Sequence, residues 1–170
     1  MVSALRGPVH NLVHFGANEE LVRALLTTGV KFVIVRGLAI AWYCPERQAD
    51  DMDLLVEPSA ENSARVAAAL ASLRLHGFTA DSFAKVGLQV PLKGVYYAEL
   101  LTPAQDSPAF SETEAKAVQA KLFNLPVLVA SISTLIAMKK RAAQAESAQR
   151  EKHLSDIGLL ERHSFQWEEK

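Results

Sequence analysis

"RQADDMDLLV", residues Arg47 to Val56, sets three aspartates within four positions and then runs straight into Leu-Leu-Val. Aspartate suits turns, but turns do not ordinarily feed directly into an apolar run. Read as a strand from Asp51 to Val56, the segment alternates. Asp51, Asp53 and Leu55 share one side, and Met52, Leu54 and Val56 take the other. The two aspartate Cα atoms then stand about 6.6 Å apart, two rises of roughly 3.3 Å. Carboxylates projecting from one face at that spacing repel unless a cation lies between them, and oxygen-only ligands suit Mg²⁺ or Mn²⁺. Asp50 precedes the pair and is expected to point elsewhere, as a turn residue. The same letters also describe a turn followed by a solvated strand face, so the neighbourhood has to decide.

Upstream, "VKFVIV" (30–35) is short, β-branched and apolar, which reads as a buried strand. "GLAIAWY" follows at once as a short helix ending near Pro45. Before these, Asn18 is placed to cap a helix with Glu19 and Glu20 in its first turn and Gly29 as its stop. Downstream, Ser59 starts a helix with Val66, Leu70 and Leu73 at i, i+4 and i+7, and Gly77 is its expected end. "LQVPL" and "GVYYAELL" read as strands, "FTADSF" less clearly so, and 103–116 as a loop turning into helix or strand near Ala115. "LPVLVA" (125–130) reads as another strand. Ser131 or Ser133 then caps a helix to about Ala145, and a final helix runs from Arg150 to about Arg162. The fold class is α/β (α+β), a mixed sheet flanked by helices with further helices at the C-terminus. One domain is expected over 1–170, its core at about 18–130 and its C-terminal helices at about 131–163.

This order of motifs resembles the minimal nucleotidyltransferases of the polymerase-beta-like superfamily, in particular the abortive-infection toxin-like branch. That pattern is an apolar strand, Gly-Gly or Gly-Ser opening a helix, then Arg-x-Thr-x-Asp-x-Asp opening a second strand. The matching positions are Arg36-Gly37 after "FVIV", then Arg47, Gln48, Ala49, Asp50, Asp51, Met52 and Asp53. The likeness continues through "EPSAENSARVAAAL", "YAELLTP", "VLVASISTLIAMKKRAA" and "EKHLSDIGLL", and so covers about residues 20 to 162. The resemblance implies a nucleotidyltransferase-like fold and an Mg²⁺-dependent (or Mn²⁺-dependent) transfer of a nucleoside monophosphate from an NTP to a hydroxyl. Asp51 and Asp53 would hold the ion on the nucleotide phosphates and, with Glu99, a second ion at the attacking hydroxyl, the arrangement that stabilises both oxygens of an in-line displacement. Gly37 would let backbone approach phosphate at a helix N-terminus. Arg36, Arg47 and Lys139 would complete the nucleotide site. The resemblance leaves the acceptor open among tRNA, a protein side chain and a small molecule such as an aminoglycoside, and leaves room for a partner protein and a toxin–antitoxin role.

The chain departs from the pattern at four positions: Arg36 replaces the first glycine, Ala49 the threonine, Glu99 the third aspartate and His153 an aspartate of the last helix. These departures also fit an alternative, a degenerate member that binds nucleotide or a partner protein without catalysis.

Other residues weigh less. Lys139 and Lys140 continue the stripe of Ile132, Leu135 and Ile136, where lysine stems commonly cover a core edge and the ammonium reaches water. Lys139 is also the position the resemblance assigns to phosphate. Arg47 suits a phosphate or an ion pair with Asp51 or Glu46, and Lys152 with Asp156 has the i, i+4 spacing of an exposed pair. Trp42 and Tyr43 read as packing residues and Cys44 as a small buried hydrophobe. His10 and His14 have helical spacing, but Asn11 stands where a metalloprotease carries glutamate, and no third zinc ligand is evident.

Composition sets the outer limits. A chain of 170 residues, 49% hydrophobic and 22% charged, belongs with globular domains rather than disordered ones. A net charge of −1 gives no global field for nucleic acid, though a local groove could still be basic. The single cysteine excludes an intramolecular disulfide framework. With neither a secretory leader nor an apolar run approaching ~18 residues, a cytoplasmic protein with no membrane association is expected.

Overall fold

A computed structural model describes residues 16–92, 94–145 and 147–168; His10 and His14 lie outside them. The elements run α1 (Gly16–Thr27), β1 (Phe32–Val35), α2 (Arg36–Tyr43), β2 (Met52–Val56), α3 (Ala60–Ser72), β3 (Gln89–Pro91), β4 (Ala98–Leu101), α4 (Phe110–Lys116), β5 (Val118–Leu122), β6 (Leu125–Val129), α5 (Ile132–Ala145) and α6 (Arg150–Glu168). The strands form one mixed sheet in the order β3-β4-β2-β1-β6-β5. β1 is antiparallel to β2 and parallel to β6, while β2 and β4 run parallel. All four residues of β1 are buried, so side chains on both faces of this central strand are covered. α1 packs on α3, α5 on α6, and α2 against both of the last two helices. The fold class is the expected one, and no helix among the described residues is long and apolar enough to cross a membrane.

Polar side chains tie the layers together. Ser59 caps α3 by accepting from the Asn62 N–H at 3.1 Å. Asn62, 1% exposed, accepts from the Lys31 N–H and donates to the Lys31 and Glu57 carbonyls, which fixes α3 against the ends of β1 and β2. Asn18 differs from expectation. It lies inside α1, fully buried, and instead of capping the helix it grips the backbone of Tyr97, donating to its carbonyl and accepting from its N–H, both at 3.0 Å. The Tyr97 carbonyl also accepts from Met52 N–H at 2.8 Å, so α1 sets where β4 meets β2.

Further elements differ: α4 begins at Phe110, ahead of Ala115, and α6 continues to Glu168, past Arg162. α3 ends at Ser72 rather than near Gly77, because Arg74 takes a left-handed conformation (φ +62°) and Leu75 N–H turns back to the Leu70 carbonyl. "FTADSF" forms turns rather than a strand; Phe83 is fully buried and its N–H donates to Ser63 Oγ at 2.8 Å. β5, not anticipated, pairs with β6 through a hairpin whose two turn residues, Phe123 and Asn124, both have positive φ. That is the conformation of a two-residue type I′ turn, which the letters Phe-Asn signal only through the asparagine.

Candidate active site

β1 and β2 are joined through α2 and the loop that follows it, and that connection carries most of the candidate residues. β1 ends at Val35, and Arg36 turns the chain into α2 with φ +58°. A left-handed residue with a Cβ costs about 1–2 kcal/mol, so this is a position built for glycine and filled by arginine. Gly37 itself does not need positive φ. A Cβ added there would meet Ala49 Cβ and Arg47 Nη2 at 3.8 Å, an ordinary contact. Any demand for glycine at 37 therefore comes from what enters the cavity, not from the fold.

β2 places its side chains as the alternation predicts. Asp51, Asp53 and Leu55 line a cavity of about 870 Å³, and Met52, Leu54 and Val56 are buried on the other side. Asp51 sits one residue before the strand, in a bend. Asp50, expected to point away, also lines the cavity, from an exposed position. Arg36, Gly37, Arg47 and Lys139 line it too, and its wall is completed by the segment after β4, including Thr102 and Asp106, and by Met138 and Arg141 of α5. Arg141 donates to Asp106, tying α5 to that segment. Glu99 is not part of the lining. It stands beside Asp53 in the β2–β4 ladder, with the Arg36 guanidinium 3.9 Å from its carboxylate.

Asp53 is the most perturbed carboxyl of the group. Burial pushes it up to about 6; Arg36 and Lys139 pull the other way, and Glu99 and Asp51 add like-charge repulsion. An oxygen-only set of this kind, half-buried and crowded by its own charge, has the donor chemistry of a divalent-cation site. Among the described residues no three such side chains converge into a ready-made metal cage. Two carboxylates suffice for Mg²⁺ when phosphate oxygens and water fill the remaining positions, so Asp51 and Asp53 fit the ion the resemblance implies.

Two of the lining cations, Arg47 and Lys139, are anchored by a residue that spacing alone misplaces. Asp156, 3% exposed, accepts from Arg47 Nε at 3.0 Å and pairs with Lys139 Nζ at 3.1 Å. The expected exposed pair with Lys152 is not what the carboxylate does; Lys152 is exposed, and Asp156 turns inward to α5 and the β2 approach. Arg47 accordingly pairs with Asp156 rather than with Asp51 or Glu46, and Glu46 is instead 2.7 Å from His163. Lys139 is 9% exposed, and its Nζ also lies 3.3 Å from His153 Nδ1. Burial lowers its pKa while Asp156 raises it, the balance falling below the ordinary value. Lys140 is exposed, as expected of a snorkelling stem.

Trp42, Tyr43 and Cys44 are structural. Tyr43 donates to the Ala130 carbonyl at 2.9 Å, and Trp42 packs on the core. Cys44 is fully buried, and burial with nearby Glu46 and Asp156 pushes its thiol up to about 12, far from a reactive thiolate.

No protein-family model matches the chain, and no curated protein matches it in sequence. Solved structures do share its fold. An antigenic nucleotidyltransferase-like protein from Paracoccidioides brasiliensis superposes with a TM-score of 0.51 at 16% identity, over 85% of this chain and 74% of that one. ANT(2")-Ia, solved in complex with adenylyl-2"-tobramycin, superposes with a TM-score of 0.52 at 16% identity, over 84% of each chain. Six strands in mixed order, helices over the central strand, and these two likenesses together make this a nucleotidyltransferase-like fold.

Proposed function

We propose that the protein transfers a nucleoside monophosphate from an NTP to a hydroxyl acceptor, with Mg²⁺ or Mn²⁺ held by Asp51 and Asp53. The observation that carries this reading is one cavity lined both by the Asp51–Asp53 pair and by Arg36, Arg47 and Lys139. A triphosphate needs both: cations for its oxygens, and carboxylates for the metal it brings. The likeness to ANT(2")-Ia, solved with an adenylyl conjugate of tobramycin, supports a hydroxyl as the acceptor class.

The residues divide the work by chemistry. Arg47, fixed through Nε by Asp156, has Nη2 beside Gly37 and so offers a guanidinium to phosphate where the backbone leaves room. Lys139 adds a point charge from the α5 side, its position set by Asp156. Asp51 and Asp53 would hold a divalent ion, which would supply positive charge toward the triphosphate and the departing pyrophosphate. In the transfer, the acceptor oxygen bonds to the α-phosphorus while the α-phosphorus to bridging-oxygen bond breaks. Pyrophosphate departs with that electron pair and the hydroxyl proton leaves to solvent; Glu99, beside Asp53 in the ladder but outside the cavity lining, acts on the site through Arg36.

The test is a labelling reaction. Purified protein with Mg²⁺ or Mn²⁺ and each of four α-labelled NTPs is mixed with total tRNA, cell extract or an aminoglycoside, beside an Asp51→Ala/Asp53→Ala control. Transfer that disappears in the control supports the chemistry and identifies the acceptor. Nucleotide binding with no transfer from any NTP would refute it in favour of a non-catalytic nucleotide binder.

A further inference from the structure

Val35, Asp53 and Glu99 stand side by side across three adjacent strands, Val35 paired with Asp53 on one side and Asp53 with Glu99 on the other. Arg36 follows Val35 directly. Two strand spacings of about 4.8 Å separate the ends of that row, a span that an arginine crosses and a short side chain does not. The guanidinium ends 3.9 Å from Glu99 Oε2, having reached past Asp53, and the two side chains are 41% and 20% exposed. The arrangement is kept although Arg36 is left-handed at φ +58°, a strained conformation for any residue but glycine. Three carboxylates bring three negative charges; one divalent ion and one guanidinium bring three positive ones.

We propose that Arg36 is a built-in cation that occupies the place of a second metal ion, so that the protein works with a single divalent ion on Asp51 and Asp53. This rests on the nucleotidyl-transfer reading and specifies it. A guanidinium paired with Glu99 supplies fixed positive charge where the acceptor hydroxyl is to be activated, and needs no recruitment from solution. It also explains why Glu99 faces Arg36 rather than joining Asp51 and Asp53 in a three-carboxylate cage. The longer glutamate, in place of the usual aspartate, is what lets the carboxylate meet a guanidinium arriving from across the ladder.

The experiment counts metal. Mn²⁺ is titrated into the full chain with non-hydrolysable α,β-methylene analogues of the four NTPs under equilibrium dialysis, and ion bound per chain is the excess of manganese on the protein side over the same analogue without protein. Wild type should bind one Mn²⁺ per chain. Arg36→Gly and Arg36→Ala should each bind two, and Arg36→Gly/Glu99→Gln should return to one. Two ions in wild type, or one in both single variants, overturns the inference while leaving nucleotidyl transfer standing. A second ion in Arg36→Gly but not in Arg36→Ala overturns it as well, because backbone room rather than charge would then be the cause. No Mn²⁺ bound by any form overturns the nucleotidyl-transfer reading itself, and this inference with it.

Discussion

Replacing Asp53 by asparagine should make the metal-free protein more stable, and by an amount that depends on pH. In the fold, burial lifts the Asp53 carboxyl from 3.8 to about 6, with Glu99 and Asp51 adding to the effect against Arg36 and Lys139. The folded state thus holds this proton more tightly than the unfolded chain does. Its stabilising contribution is complete below pH 3.8 and is lost as pH rises through about 6. At about 1.36 kcal/mol per pKa unit, the difference amounts to about 3 kcal/mol. The substituted asparagine keeps the size and cannot ionise, so it escapes that loss. In EDTA at pH 8 the variant should exceed wild type by up to about 3 kcal/mol, or several degrees in Tm for a domain of this size. Near pH 4 the two should converge. Urea unfolding of both proteins from pH 4 to 8 measures the gap directly. Adding Mn²⁺ at pH 8 should then narrow it, because the ion stabilises only the form that keeps both carboxylates. A variant no more stable than wild type at pH 8, or a gap indifferent to pH, would refute the charge-crowding argument.

Other substitutions probe the supports. Asp156→Ala leaves Arg47 and the buried Lys139 without their shared carboxylate and should cost about 3–5 kcal/mol, measured by urea unfolding at pH 7. Lys139→Met removes a buried cation while Asp156 keeps Arg47. It should fold, and should weaken binding of a fluorescent NTP analogue about 10- to 100-fold, the value of one charged hydrogen bond. Asn18→Ala strips both hydrogen bonds from Tyr97 and should destabilise by about 1–3 kcal/mol, with faster amide exchange at Tyr97.

Local chemistry made much of this legible. The period-2 alternation of "DDMDLLV" announces which side chains share a face, and the structure puts Asp51, Asp53 and Leu55 in one cavity as that period requires. Ser59 carries its capping role in its letters, since serine before a helical stripe has one common use. Asn18 shows where such reading stops. A helix-start asparagine looks the same in sequence whether it caps its own helix or reaches a backbone 79 residues away, and only the tertiary fold chose the bend before β4. Asp156 is the same lesson at the site. Its i, i+4 spacing from Lys152 is a local fact, whereas its bonds to Arg47 and Lys139 depend on α6 packing against α5 and α2, which no spacing encodes. The left-handed Arg36 went unread for a simpler reason: arginine does not signal positive φ, as glycine does.

The separation of the two sides of the cavity along the chain has a consequence for how the protein comes together. The carboxylates stand on β2 and β4, whereas Lys139 and Asp156 belong to α5 and α6, which follow the strand β6 that must first join β1. Until those helices dock, Arg47 lacks Asp156 and the neighbouring strands β2 and β4 carry their carboxylates without Lys139. A chain halted at that stage would hold Asp51, Asp53 and Glu99 with Arg36 but without Lys139 beside them, and would lose stability as those carboxylates ionise with rising pH. Docking of the last two helices thus does two things at once: it brings Lys139 toward Asp53 and gives Arg47 its partner Asp156.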